Sequence, residues 1–289
     1  MIKKSMRKLF TFILASAMTL SLAACNSSGS NNQPSPTTAP TTAPTAAELE
    51  GTIQIAGSTS VQPLSEELAK VFMGKNAKVK INVAGGGSGA GIKAATEGTA
   101  DIGASSRELK SEEKVVKEFV IAMDGIAIVV HKDNKVSDLK KEDIMKIFSG
   151  EITDWSELGG DAGKIQVVIR EEGSGTRGAF EELVMGEAKA ISTATVQNST
   201  GAVRTAVSQD KNAIGYISLG SLNSDVKAVK VDGVEATEAN VKANTYKISR
   251  PFVYMTQKDP SGATKAFIDF IMSAEGQAIV QESGFITVK

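Results

Sequence analysis

A chain of 289 residues, 41% apolar and 22% charged, has an ordinary globular composition and enough length for two cores. Its 32 Lys and Arg nearly cancel its 33 Asp and Glu, and without Lys3, Lys4, Arg7 and Lys8 the balance is 28 against 33. A mildly acidic surface carries no electrostatic footprint for nucleic acid. A single cysteine (Cys25) and a single histidine (His131) exclude an internal disulfide and a Cys/His zinc site, and argue against a cysteine protease.

Residues 1–8 are basic, and 9–24 are almost wholly apolar before the chain turns polar. Sixteen apolar positions fall short of the ~20 that a membrane span needs, and the pattern fits a secretory signal peptide over residues 1–24. Its junction, Leu22-Ala23-Ala24-Cys25, resembles the bacterial lipobox, in which the cysteine is acylated and becomes the new N-terminus. The plainer alternative, a cysteine buried in an apolar segment, sits badly with the polar tract that follows at once. From Asn26 to Ala47 there is no charge and no aromatic, and four prolines (Pro34, Pro36, Pro40, Pro44) recur. Such a tract cannot bury a core and reads as a tether, so residues 25–47 are expected to hold a lipidated cysteine and a spacer. The folded part begins at Glu48.

Periodicity there predicts strands at Thr52–Ala56 and Val79–Val83, a helix at Val61–Phe72 between them, and a short helix at Gly89–Glu97. Further strands are expected at Asp101–Ala104, Phe119–Ala122 and Ile126–Val130, then a helix at Lys140–Phe148. The strand Ile165–Ile169 leads to a helix at Thr176–Val184. A helix at Ala202–Ser208, strands at Ala213–Ile217 and Phe252–Met255, and helices at Ala263–Ile271 and Glu275–Glu282 complete the chain. Regular alternation of this kind predicts parallel α/β sheets, in two lobes rather than one.

Three strand-to-helix turns share one chemistry. They are Gly57-Ser58-Thr59-Ser60, the run from Gly85 to Gly91 around Ser88, and Arg170-Glu171-Glu172-Gly173-Ser174-Gly175-Thr176-Arg177. Each offers backbone N–H groups at a helix start, small residues that let a ligand approach, and hydroxyl donors, which together suit an oxyanion. Any one of them is also satisfied by simple N-capping. Three on successive units, all at strand carboxyl ends, point to a ligand. A Walker loop fails because Ile92 separates Gly91 from Lys93, and a hydrolase elbow fails because Ala90 follows Gly89. His131, before Lys132-Asp133-Asn134, is badly placed to serve as a general base.

These loops, with Pro63-Leu64, Asp101-Ile102-Gly103-Ala104-Ser105 and Ile147-Phe148-Ser149-Gly150-Glu151-Ile152-Thr153-Asp154-Trp155, resemble those of the phosphate-binding proteins of bacterial phosphate-specific ABC transporters. The resemblance implies an α/β, two-lobed periplasmic-binding-protein-like clamshell (type II) with two hinge strands. One lobe would span 48–123 plus 249–289 and the other 124–248, with crossings near Asp124–Val130 and Arg250–Tyr254. Carried over residue by residue, it implies phosphate contacts from Thr59, Ser60, Ser88, Asp101, Arg170, Ser174, Gly175 and Thr176, with Ser105, Ser106 and Arg107 as secondary candidates.

The same resemblance implies an extracytoplasmic protein, held to the cell membrane by a lipid on Cys25. It would deliver inorganic phosphate to the transmembrane permease subunits of an ABC transporter and their ATPase subunits. No catalytic residue, cofactor, metal or nucleic-acid partner is expected. Asp101 is expected to distinguish phosphate, which keeps a proton near neutral pH, from sulfate, which has none. The alternatives are a binder of another tetrahedral oxyanion, a secreted phosphatase, and a surface lipoprotein with a vestigial pocket.

Overall fold

The computed structural model describes residues 48–288. The expected signal peptide, Cys25 and the tether lie outside the described residues.

The first unit is built as the periodicity requires. Strand β1 (Glu50–Gly57) feeds helix α1 (Gln62–Lys75), β2 (Lys78–Gly85) feeds α2 (Ser88–Glu97), and β3 (Ile102–Ser105) follows. β1 lies between β2 and β3, parallel to both. Leu64, Leu68 and Phe72 recur at helical spacing along α1 and close over Ile53 and Ile55 of β1.

β4 (Lys117–His131) is the first departure from expectation, because the two strands predicted there are one. The polar interruption at Asp124 does not end it, since that carboxylate is neutralised inside the sheet by Arg250. The chain continues through β5 (Asp138–Leu139), α3 (Lys141–Ser149), β6 (Gln166–Arg170) and α4 (Gly175–Phe180), whose helix widens into a π turn over Glu181–Met185. Next come β7 (Thr195–Gln197), α5 (Thr200–Gln209), β8 (Ala213–Ser218), β9 (Val226–Ala228), β10 (Lys230–Val231) and α6 (Glu238–Lys242). Strand β11 (Ser249–Thr256) and helices α7 (Gly262–Ile271) and α8 (Ala274–Glu282) complete it.

The strands join in the order β2-β1-β3-β11-β4-β8-β6-β7, with β9 also on β4. This sheet is mixed rather than parallel throughout. β6 is parallel to β7 and β8, but β11 runs antiparallel to β3 and β4, and β4 antiparallel to β8 and β9. The antiparallel strands are the two that cross between lobes. β4 pairs with β11 up to Gly125 and with β8 from Ile126 onward. Two apolar cores lie on either side of that change of partner. One holds Ile53, Leu68, Phe72, Ile121, Phe252 and Phe267, and the other Ile128, Ile147, Phe148, Trp155, Phe180 and Tyr216.

The segment Ile147–Trp155, a mark of the resemblance, is scaffold in the second core. Gly150 ends α3 with φ 86°, and Asp154 caps the short turn that buries Trp155, whose Nε1 donates to Asn212 O at 3.0 Å. No helix among the described residues is long and apolar enough to cross a membrane.

Candidate oxyanion-binding site

Parallel strands bring the ends of β1, β2 and β3 to one edge of the first lobe, and those of β6 and β8 to one edge of the second. The three hydroxyl turns meet there. In the first lobe Ser58 N donates to Ala104 O at 2.9 Å, and Gly87 N to Gly57 O at 3.0 Å. These bonds bind the turns after β1, β2 and β3 into one rim. Gly87 holds φ 86°, a left-handed conformation that starts α2 with Ser88 turned inward. Ser88 Oγ accepts from Ser106 N at 3.0 Å, and Ser58 Oγ donates to Ser106 Oγ at 2.9 Å. All three side chains are buried.

In the second lobe Arg170 ends β6, 1% exposed. Its backbone N–H donates to the Tyr216 hydroxyl at 3.2 Å. Tyr216 is stacked on Phe180 with ring centroids 4.2 Å apart, and burial pushes its phenol up, so it stays neutral. Glu171 grips one side of the guanidinium, taking Nε at 2.8 Å and Nη2 at 2.9 Å, while Nη1 donates to Thr200 Oγ1 at 3.1 Å. With Nε and one N–H of Nη2 committed, the Nη1/Nη2 edge is the one left to address an oxyanion in a fork.

The lobes touch directly through these groups. Ser60 Oγ lies 2.9 Å from Thr176 Oγ1 and 2.7 Å from Thr200 Oγ1. Thr200 N donates to Thr59 Oγ1 at 3.3 Å, and Gly89 N to Gly173 O at 2.9 Å. Gly175 opens α4 so close to the other lobe that a Cβ there would stand 2.2 Å from Ser88 Oγ and 2.7 Å from Ser106 Oγ. Hydroxyls from both lobes thus meet across the cleft beside one arginine, bonded in part to one another.

Thr59, Ser60, Ser88, Arg170, Gly175 and Thr176 all fall in this cluster or against it. Ser174 adjoins it, but its Oγ accepts from Arg177 N at 3.2 Å as the cap of α4, which is the plainer role open to it. Asp101 is set apart, and this corrects the expectation. It precedes β3, at the strand's amino end, exposed, with its carboxylate accepting from Gln54 N at 2.7 Å. Four residues of strand put it about 13 Å from Ser105 and the carboxyl-end rim. The resemblance supplied an acidic residue at this motif, and strand direction decides that it faces away.

Of the secondary candidates, Ser106 belongs to the cluster. Ser105 closes a local turn instead, its Oγ donating to Arg107 O at 2.9 Å. Arg107 is held by Glu113 through two bonds of 2.7 and 2.8 Å, and that pairing keeps the Glu113 carboxyl below its usual range. His131 is also occupied, its Nδ1 accepting from Asp133 N at 3.1 Å.

Sequence reasoning missed Thr200. It begins α5, capped by Ser199, after the three-residue strand β7. A fourth turn of the same kind, Asn198-Ser199-Thr200-Gly201, was there to be read, but the shortness of β7 hid the strand before it.

The chain is similar to known proteins over most of its length. The family model described as a PBP superfamily domain matches residues 37–275. The phosphate-binding protein PstS of Bacillus subtilis (strain 168) is 32% identical over 287 residues, covering 97% of this chain and 94% of that protein. Among solved structures, a putative phosphate ABC transporter substrate-binding protein with bound phosphate from Clostridium perfringens aligns with a TM-score of 0.81 and 46% identity, over 83% of this chain and all of that one. An ABC-type phosphate transport receptor from Vibrio cholerae aligns with a TM-score of 0.69 and 38% identity, over 81% and 99% of the two chains.

Proposed function

The chain belongs to the PBP superfamily, among the phosphate-binding proteins of PstS type, and from that membership we propose that it binds inorganic phosphate with high affinity outside the cell membrane and passes it to an ABC permease. The observation that carries the reading is the meeting of hydroxyls from both lobes, Ser60 with Thr176 and Thr200, beside Arg170, whose Nη1 donates to Thr200. Phosphate entering the cleft exchanges hydroxyl-to-hydroxyl bonds for hydroxyl-to-oxyanion bonds, which are charge-assisted and roughly twice as strong. Because the donors come from both lobes, the anion ties the lobes together as it binds.

The contacts we assign are Thr59, Ser60, Ser88, Arg170, Gly175 and Thr176, with Thr200 and Ser106 added and Asp101 removed. Ser174 supports its helix and offers its hydroxyl proton. The two cores support lobes of 48–123 plus 249–289 and of 124–248. A signal peptide over 1–24 would direct export and be removed, and a lipid on Cys25 would keep the protein at the membrane where its permease sits. The protein performs no reaction on its ligand in this reading, since hydroxyls, N–H groups and one arginine hold an oxyanion but supply no nucleophile with a base beside it.

Titration calorimetry of the full chain with phosphate, sulfate and arsenate, alongside a phosphate-release assay on a phosphate monoester, tests this. Saturable one-to-one phosphate binding without ester turnover is expected. Turnover, or tighter binding of sulfate than of phosphate, would overturn it.

A further inference from the structure

The carboxyl-terminal segment also crosses between the lobes. Met123 N donates to Ile286 O at 2.8 Å and Ile286 N to Met123 O at 2.9 Å, an antiparallel bridge one residue before Asp124. Met123 is paired with Pro251 on its β11 side, so Ile286 takes the opposite edge of β4, the edge that β8 occupies from Ile126 onward. Phe285 is buried in the core of the first lobe, its ring centroid 5.1 Å from that of Phe252, while Ile286 packs into the core of the second. Gln277 of α8 secures this crossing. Its Nε2 donates to Ile121 O at 3.1 Å and its Oε1 accepts from Val288 N at 2.9 Å.

Where the end of β8 meets this segment, the lobes touch again. Gly220, in the turn Leu219–Ser221 that follows β8, lies so close to the Phe285 ring that a Cβ on it would stand 2.4 Å from Cζ and 2.6 Å from Cε1. Leu219, beside it, donates its N–H to Asp124 Oδ1 at 3.1 Å, which sets the contact next to the strand crossing. A cavity of about 440 Å³ adjoins it, lined by Gly220 from the second lobe and by Pro63, Leu64 and Phe285 from the first, so beside this contact the lobes stand apart.

We infer that Phe285 is a positioning residue for the oxyanion site: its ring is the stop against which Gly220 seats, and the contact sets the angle at which the lobes meet. The inference rests on the oxyanion reading of that site. Ser60 and Thr200 belong to opposite lobes and meet at 2.7 Å, so the site is complete at one angle only. β1, which leads into the Ser60 turn, is three strands from β4, about 14 Å away. A shift forced beside β4 is therefore carried out to the hydroxyls, whose hydrogen bonds span only about 2.5–3.0 Å.

Calorimetry of the full chain with inorganic phosphate and with arsenate tests this. Arsenate is the same tetrahedral anion with longer bonds to oxygen, so it suits lobes held slightly apart. Gly220→Ala inserts a methyl at the contact. It is expected to raise the phosphate Kd at least about tenfold and to shift the phosphate-to-arsenate ratio about threefold toward arsenate. A loss of folded protein would lower the stoichiometry and leave that ratio unchanged. Gly220→Ala/Phe285→Leu removes the ring atoms that the methyl strikes, and is expected to bring the phosphate Kd back to within about threefold of the unaltered chain and to restore the ratio. Should Gly220→Ala fail to fold, Phe285→Tyr puts a hydroxyl on Cζ and presses from the other lobe, with the same loss and the same shift expected. Unchanged phosphate affinity in the folded wedge variant, equal loss for both anions, or no recovery in the double variant overturns the inference. Failure of the unaltered chain to bind phosphate would instead overturn the reading of the site itself.

Discussion

Arg170 is the residue on which the site turns, because its charge is fixed in plane by Glu171 and in position by Tyr216. Arg170→Lys keeps the charge but loses the fork and the bidentate hold of Glu171. Calorimetry should show at least a tenfold weaker phosphate Kd, since charge-assisted hydrogen bonds contribute about 1.5–3 kcal/mol each. An unaltered Kd would place Arg170 outside the contact. Asp101→Asn is the contrasting case. Its carboxylate caps a backbone N–H of β1 at the far end of the strand, so phosphate affinity and the phosphate-to-sulfate ratio should both stay within about twofold. A collapsed ratio would mean that the carboxylate reaches the ligand after all. Residue types at the site were legible in the sequence because Gly-rich hydroxyl turns announce oxyanion chemistry. What was not legible was direction: Asp101 and Ser106 flank the same short strand, and only its orientation in the sheet decides which end faces the cleft. Thr200 was hidden differently, since a three-residue strand such as β7 gives no period to detect.

Helix starts are the working parts at the next scale, and two of them can be tested by size and polarity. The first residue of α4 lies against the opposite lobe, and Gly175→Ala would put a methyl 2.2 Å from Ser88 Oγ. The lobes must then part to admit it. Phosphate affinity should fall at least about tenfold while the melting temperature of the ligand-free protein moves little, because opening relieves the clash without unfolding either core. A tightly binding Gly175→Ala variant would contradict the closed contact. At the start of α5, Thr200→Val preserves shape and removes the hydroxyl shared by Ser60 and Arg170. Loss of one such bond should weaken phosphate binding by about 1 kcal/mol, roughly fivefold, and an unaffected Kd would leave Thr200 a packing residue. Most elements were readable from spacing alone, within a residue or two of their ends. The fusion of two expected strands into β4 was not, because an aspartate in an apolar run reads as an interruption unless its partner, here more than a hundred residues away, is known.

For the molecule as a whole, alternating strands and helices disclosed two α/β lobes, while the antiparallel crossing strands that join them depend on long-range pairing that no local pattern carries. The lobes concern capture, and the amino-terminal segment concerns place. Cys25→Ser should move the full chain from the detergent phase to the aqueous phase in phase partitioning, since the acyl chains supply the membrane affinity at about 0.8 kcal/mol per buried methylene. Unchanged partitioning would remove the anchor. On this reading one oxyanion is held between the lobes by hydroxyls of both and by Arg170. A crystal structure of the protein grown with inorganic phosphate tests it most directly. Tetrahedral density is expected between the Ser88 turn and the start of α4, within hydrogen-bonding distance of Ser60, Ser88, Thr176 and the Nη1/Nη2 edge of Arg170. Density elsewhere, or contacts from one lobe alone, would contradict it.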